Sequence, residues 1–467
     1  MKTQSRTGQT PLPNLEFRQL VEQSKLFARS RRVLVKMVVD SAGEVVPRLI
    51  EIATESLDDD AQHIITILSA SLDSSENPEL LQTIYSEIPK KSVQFAAFAG
   101  LLAEAMLMLI RSQRPIDRQF ETILRHNLAV HLRDSGDYQR AAVISGSAVK
   151  LLRFMTKRSP LFRVQLVTAM GMWSKHLSEA GNRKSALRVA VATEKEARRL
   201  RGENAELILA RSRVTLGSCL VVESRFRDAI PILRAAYRTF QSSGTNDELL
   251  RSDLGHVLLF LACAEFNSNR KDNARETAEK AWSFLTGLVA ENPGLHFEDY
   301  VNVVDLLSLI ANNQGDQQRA LQVRGEAGAS LLNLATVYPH HFGFRYVWTL
   351  INWTSQSIHG GDYTSALKLA RFALRAYEKI KRRVNQSDIE VFAVAQFNLG
   401  VSLFGLNRRR LALAAGQLAE KYLCQLSNGH ERRDDLLPNV RELIAEASKP
   451  SSMSVVVHHL KPTKSHR

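Results

Sequence analysis

The sequence predicts an all-α chain, a right-handed superhelical solenoid of antiparallel helix pairs, and three observations carry that expectation. First, seven alanines (Ala141, Ala186, Ala229, Ala274, Ala320, Ala366 and Ala412) recur 43 to 46 residues apart. A fixed period of that length marks stacked helical hairpins, each burying its apolar face only against its neighbours. Second, every alanine brings the same companions. The residue twelve before it is small (Ala129, Ser174, Gly217, Ala262, Ser308, Thr354, Gly400), and the residue five before it is a turn former (Gly136, Gly181, Ser224, Asn269, Gly315, Gly361, Asn407). Third, 44% hydrophobic content with 23 Gly and 13 Pro in 467 residues fits a folded, mostly helical chain.

Taken in order, residues 1–14 hold Gly, Thr, Ser and two prolines and read as a disordered tail. Residues 15–118 form an irregular N-terminal helical region, with apolar residues at helical spacing over Phe17–Val39, Glu44–Leu57, Ala61–Leu72, Pro78–Ile88 and Ser92–Ile110 but without the later period. Residues 119–426 form seven repeats of about 45 residues, each a helix A and a helix B. Small residues let the two backbones approach where they cross, while a large neighbour (Leu128, Trp173, Leu216, Leu261, Leu307, Trp353, Leu399) fills the adjoining gap. A left-handed Gly or Asn at the turn ends helix A. Pro160, Pro293 and Pro339, each nineteen residues after its alanine, mark where helix B has stopped. Residues 427–449 supply a capping helix with Val440, Leu443 and Ile444 on one face, as the last repeat of an array requires. Residues 450–467 are a basic, disordered tail.

The run from Asn127 to Ala141, with Leu128-Ala129, the Gly136-Asp137-Tyr138 turn and the B-helix alanine, resembles a tetratricopeptide repeat. Gly361-Asp362-Tyr363 followed by Ala366 repeats the phrase. The long period resembles the kinesin-light-chain-like branch of that family. Asn127, Asn352 and Asn398 match its A-helix asparagine, and Ala229-Ile230-Pro231-Ile232 is similar to its Ala-x-Pro-Leu phrase. Three residues depart from the pattern on helix B (Ser145, Arg324, Gly416) and two on helix A (Glu265, Ser357).

The resemblance implies a concave groove along the A helices that binds a protein or peptide. Its expected partner-binding residues are Asn127, Val130, Arg133, Lys175, Arg211, Phe266, Asn312, Trp348, Ile351, Asn352, Ile358, Phe397, Asn398 and Phe404. Over the full set of A-helix groove positions three acids (Asp134, Glu179, Asp305) balance three bases (Arg133, Lys175, Arg211), whereas a groove tracking a phosphate backbone needs an excess of Lys and Arg. The last two repeats place Trp348, Ile351, Ile358, Phe397 and Phe404 on this face. Such residues either line an apolar channel for an amphipathic helix or lie covered by neighbouring helices and the C-terminal segment.

Composition narrows the function further. Three cysteines without a close pair exclude a disulfide framework and a Cys-based zinc cluster, and suit a reducing, cytoplasmic setting. The apolar stretch Phe95–Ile110 is interrupted by Glu104 and is short for a membrane span. No phosphate loop, His-Glu-x-x-His or nucleophile elbow occurs, so the sequence indicates no enzyme and no cofactor. The adjacent pairs His340-His341 and His458-His459 diverge on any regular backbone and read as solvated, not as metal ligands. The net charge of +14 is concentrated toward the termini. The expectation is a non-catalytic interaction scaffold or sensor module, an accessory subunit of a signalling or defence complex. The alternative is a nucleic-acid-associated helical repeat protein using its basic termini.

Overall fold

The computed structural model describes residues 14–55, 58–74, 77–88, 95–112, 117–134, 137–202, 204–243, 248–384, 389–426 and 431–449. The two terminal tails, Gly136 and the pair His458-His459 lie outside these residues, as do the side chains of His340 and His341. Among the described residues every regular element is a helix, and the chain divides into two compact units, Met1–His296 and Phe297–Arg467.

The first unit opens with α1 (Asn14–Leu26), α2 (Ala28–Asp40), α3 (Ala42–Glu55), α4 (Asp58–Asp73), α5 (Pro78–Glu87) and α6 (Ala96–Ser112). Their amphipathic faces close on a shared core that includes Phe17, Leu34, Leu49, Ile64, Ile67, Ile84 and Phe95. Helix pairs follow: α7 (Arg118–Asp134) with α8 (Tyr138–Arg158), α9 (Arg163–Glu179) with α10 (Arg183–Ala197), α11 (Ala205–Val222) with α12 (Phe226–Ser242), and α13 (Glu248–Asn267) with α14 (Lys271–Glu291). The second unit takes up the same order with α15 (Pro293–Asn313), α16 (Gln317–Val337), α17 (Pro339–His359), α18 (Tyr363–Val384), α19 (Ile389–Gly405) and α20 (Arg409–Leu423), and ends in α21 (Glu431–Ser448). Odd-numbered helices from α7 to α19 are the A helices and even-numbered ones the B helices.

One hydrogen-bond scheme builds every A-to-B turn. Gly181, Ser224, Asn269, Gly315, Gly361 and Asn407 all have left-handed φ, between 58° and 80°. The next amide then donates to a carbonyl five residues back, as in Asn182 to Leu177, Arg225 to Leu220 and Arg408 to Leu403, each 2.8 Å. This reversal satisfies the orphan carbonyls at the end of helix A. The periodic alanine makes the first backbone bond of helix B: Ala186 donates to Asn182 O and Ala366 to Asp362 O, both at 3.0 Å. Asp137, Asp316 and Asp362 also cap their B helices through the carboxylate, which accepts from Arg140 N, Arg319 N and Ser365 N.

All seven alanines are at most 2% exposed, and their partners twelve residues earlier are also buried. The crossing is close enough for Ser174 Oγ to donate to Ala186 O at 2.8 Å. A Cβ added to Gly400 would lie 3.4 Å from Ala412 O. Pro160 opens a short 3-10 turn after α8, while Pro293 and Pro339 open α15 and α17, positions that need no amide donor. At the chain's end α21 covers α19 and α20. Leu443 and Ile444 occupy the space that side chains on Gly400 and Gly416 would fill, which accounts for a glycine where the repeat pattern wants a large residue.

Candidate partner-binding face

The face expected to hold a partner is built from the A-helix residue just after the small crossing position. In the first unit these residues are Val130, Lys175, Ser218 and Cys263, all half-buried, one on each successive A helix. Arg133, Arg211 and Phe266 are half-buried beside them. Because α9 packs on α11 and α11 on α13, Lys175, Ser218 and Cys263 occupy the same register on neighbouring helices.

Polar residues on this face also tie repeat to repeat. Arg211 Nε donates to Asp253 Oδ2 at 2.7 Å, joining α11 to α13. Asn127 Nδ2 donates to Tyr85 Oη at 2.9 Å, joining α7 to α5. Ser174 Oγ lies 3.3 Å from Cys219 Sγ, and burial pushes that thiol's pKa up, so it is an inert core group. His176 on α9 is 1% exposed, and Arg133, Lys175 and His126 lie near enough to act on its charge. His176 Nδ1 is 2.6 Å from Ser145 Oγ. Desolvation first, then the charges of Arg133 and Lys175 with His126 nearby, lower the His176 pKa to about 3, so the imidazole is neutral.

The second unit differs. Ile351 (1% exposed), Ile358 (6%), Phe397 (0%) and Asn398 (1%) are interior, so the expectation that they line an open groove gives way to a packing role. The physical reason is α19 itself, whose sequence is apolar nearly all round and which is buried accordingly. It packs on α17, and Asn398 Nδ2 donates to Ser355 Oγ at 3.0 Å and Ile351 O at 3.3 Å. The apolar stretch is therefore covered by neighbouring helices. Phe404 is half-buried against the cluster of Leu367, Leu403, Ala412 and Ala447, with the Arg409 guanidinium 5.5 Å from its ring. Trp348 and Asn352 are half-buried and Asn312 is exposed.

Polar residues that break the repeat pattern find polar partners across repeat boundaries. Ser145 on α8 meets His176 on α9, and Arg324 on α16 donates to Gln356 and, at 3.2 Å, to Ser357 on α17. Arg234 on α12 pairs at 2.7 Å with Glu265 on α13, a carboxylate only 2% exposed that also accepts from Thr277 Oγ1 at 2.9 Å. Each polar intrusion is matched by a complementary one about 31 to 33 residues later, as buried polar groups require. Reading one repeat at a time hides these pairs. Comparing B-helix departures with the following A helix finds Arg324 and Ser357, whereas His176 and Arg234 occupy positions where the repeat pattern shows no departure.

Among the described residues no cluster of three or more His, Cys, Asp or Glu could hold a metal, and no helix is long and apolar enough to cross a membrane. These helix pairs give the chain a tetratricopeptide-like helical repeat fold. No protein-family model and no curated protein matches the sequence. Among solved structures it is similar to BtubC from P. vanneervenii (20% identity, TM-score 0.39), covering 52% of this chain and 91% of that one. It is also similar to the apo form of RapI (15%, TM-score 0.45; 79% and 97% covered). A third is a signal-transduction ATPase with a tetratricopeptide repeat sensor from Pyrococcus horikoshii (12%, TM-score 0.38; 93% and 72% covered). All three lie below 25% identity and a TM-score of 0.5, and they decide nothing beyond what the helix pairs themselves establish.

Proposed function

We propose that the chain is a non-catalytic interaction scaffold or sensor module that holds a peptide or helix from a protein partner on the A-helix face of its first unit. The observation that carries this reading is the row of half-buried side chains, Val130, Lys175, Ser218 and Cys263, repeated on four successive A helices. Half-buried positions in fixed register offer a partner both apolar area and polar groups, and the inter-repeat ties hold them in place at little ordering cost. Arg133 and Lys175, near the neutral His176, favour an acidic group on the partner at the α7–α9 end, and Phe266 favours an apolar anchor at the α13 end. We place the repeats in the long-period, kinesin-light-chain-like branch on the same phrases that mark the sequence. In this reading the chain serves a cytoplasmic signalling or defence complex as an accessory subunit, with any catalysis on another chain.

The test is a photo-crosslinking residue at Phe266, compared with one at the exposed Lys280 on the outer side of α14. A partner captured at Phe266, not at Lys280, and lost on Lys175→Glu supports the reading. Equal capture at both positions sinks it.

A further inference from the structure

Helix α8 turns toward solvent a stripe that repeat packing does not use. Val143, Lys150, Phe154 and Lys157 follow one another at helical spacing along its outer side, and Leu161 continues them in the short turn to α9. Val143 is 70% and Leu161 83% exposed. The helix contains no acidic residue between Tyr138 and Arg158. Among the described residues no carboxylate pairs with Lys150, Arg153, Lys157, Arg158 or Arg163. Two guanidiniums, Arg118 and Arg158, stack on the Phe154 ring with Cζ 4.7 and 4.3 Å from its centroid. The neighbouring helix α6 adds Leu101 and Met108, each 66% exposed, on either side of Glu104, whose ion pair with Arg140 links the two helices at 3.0 Å.

We propose that this outer side of α6, α8 and the turn to α9 docks peripherally on an anionic membrane surface. Lysines and arginines, with the Phe154 ring beneath Arg118 and Arg158, would sit among the headgroups while Val143 and Leu161 reach the acyl boundary. Charge complementarity selects an anionic partner, and the form of the apolar residues selects lipid. They protrude as knobs from helices and a turn. A peptide partner would need recesses to receive its anchors, and a nucleic acid gains little from exposed aliphatic side chains. A fluid interface accepts protruding side chains without a matching pocket. The same chemistry recurs in the second unit on α18, where Phe372, 56% exposed, lies among Lys368, Arg371 and Arg375. This proposal uses a surface distinct from the A-helix face and stands whether or not that face binds a peptide.

The full chain is sedimented with vesicles of phosphatidylcholine alone and of phosphatidylcholine with about 30% phosphatidylserine. Binding is expected only to the second, weakening as salt rises from about 50 to 300 mM. Lys150→Ala with Lys157→Ala is expected to lower the partition about thirtyfold, at roughly fivefold per cation. Leu161→Ser, with every charge kept, is expected to lower it about tenfold. Leu161→Trp adds a fluorophore whose emission shifts to the blue on binding. Circular dichroism confirms that these exposed-site variants stay folded. Absence of binding to the anionic vesicles at low salt overturns the proposal. So does binding that Leu161→Ser leaves unchanged while an oligothymidylate competes for the same surface, since that result assigns it to nucleic acid.

Discussion

Acid should open the α8–α9 region through one imidazole. His176 is buried, neutral and held below its ordinary pKa of 6.5, at about 3, first by desolvation and then by Arg133, Lys175 and His126. The unfolded chain therefore binds a proton at this site that the folded chain refuses. A depressed histidine pKa makes the folded state fully favoured above 6.5 and progressively less so as pH falls toward 3. Each pH step of one below 6.5 costs about 1.4 kcal/mol, so the loss is about 2 kcal/mol at about pH 5. Because stacked repeats open locally, amide hydrogen exchange is the suitable assay. Protection in α8 to α10, corrected for intrinsic exchange, should fall about thirtyfold more between about pH 7 and pH 5 in the wild type than in His176→Gln. Glutamine keeps a polar partner for Ser145 and removes the titration. His63, whose pKa burial also lowers, titrates in both proteins and cancels in the difference. Identical pH dependence in the two proteins would refute the assignment of a neutral, buried His176.

Other expectations concern turns and buried charge. Ser224→Gly should stabilise the fold by roughly 0.5–1 kcal/mol, because serine carries the steric cost of φ 58° that glycine does not. Asn407→Gly should change it little, since asparagine tolerates that conformation, and Gly315→Ala should cost about 1–2 kcal/mol. Calorimetric midpoints ranking Ser224→Gly at or below wild type would contradict this order. Arg234→Met should destabilise by about 2–3 kcal/mol, less than a fully buried pair, because Arg234 is 41% exposed while Glu265 is left buried without its cation. Adding Glu265→Leu should recover most of that loss. A double variant as unstable as the single one would mean that the pair itself was not the source.

Much of the architecture was legible because it is local and repetitive. A left-handed residue, an alanine five positions on and a small residue seven positions before the turn all lie within one hairpin, and the geometry of that hairpin is the same each time. Gly181, Asn269 and Gly361 could be placed from sequence for this reason, and so could the buried Ala186 and Ala366. The partner face was legible only in part. Val130, Lys175 and Phe266, after the crossing residue, are half-buried, but Phe397 and Ile351, three residues before it, are interior. Their hydrophobicity was plain from sequence. What covers them was not, because cover comes from helices in the adjoining repeats.

The chain's own letters thus determined the period, the helix pairing and the turn conformations, since each depends on residues a few positions apart and on steric rules that hold anywhere. Tertiary structure alone decided which A-helix side chains meet solvent. It also decided that Ser145 finds His176, that Glu265 finds Arg234, and that Gly400 and Gly416 make room for α21. Those outcomes depend on contacts spanning some 28 to 43 residues, where burial of one group is set by what its neighbour happens to present.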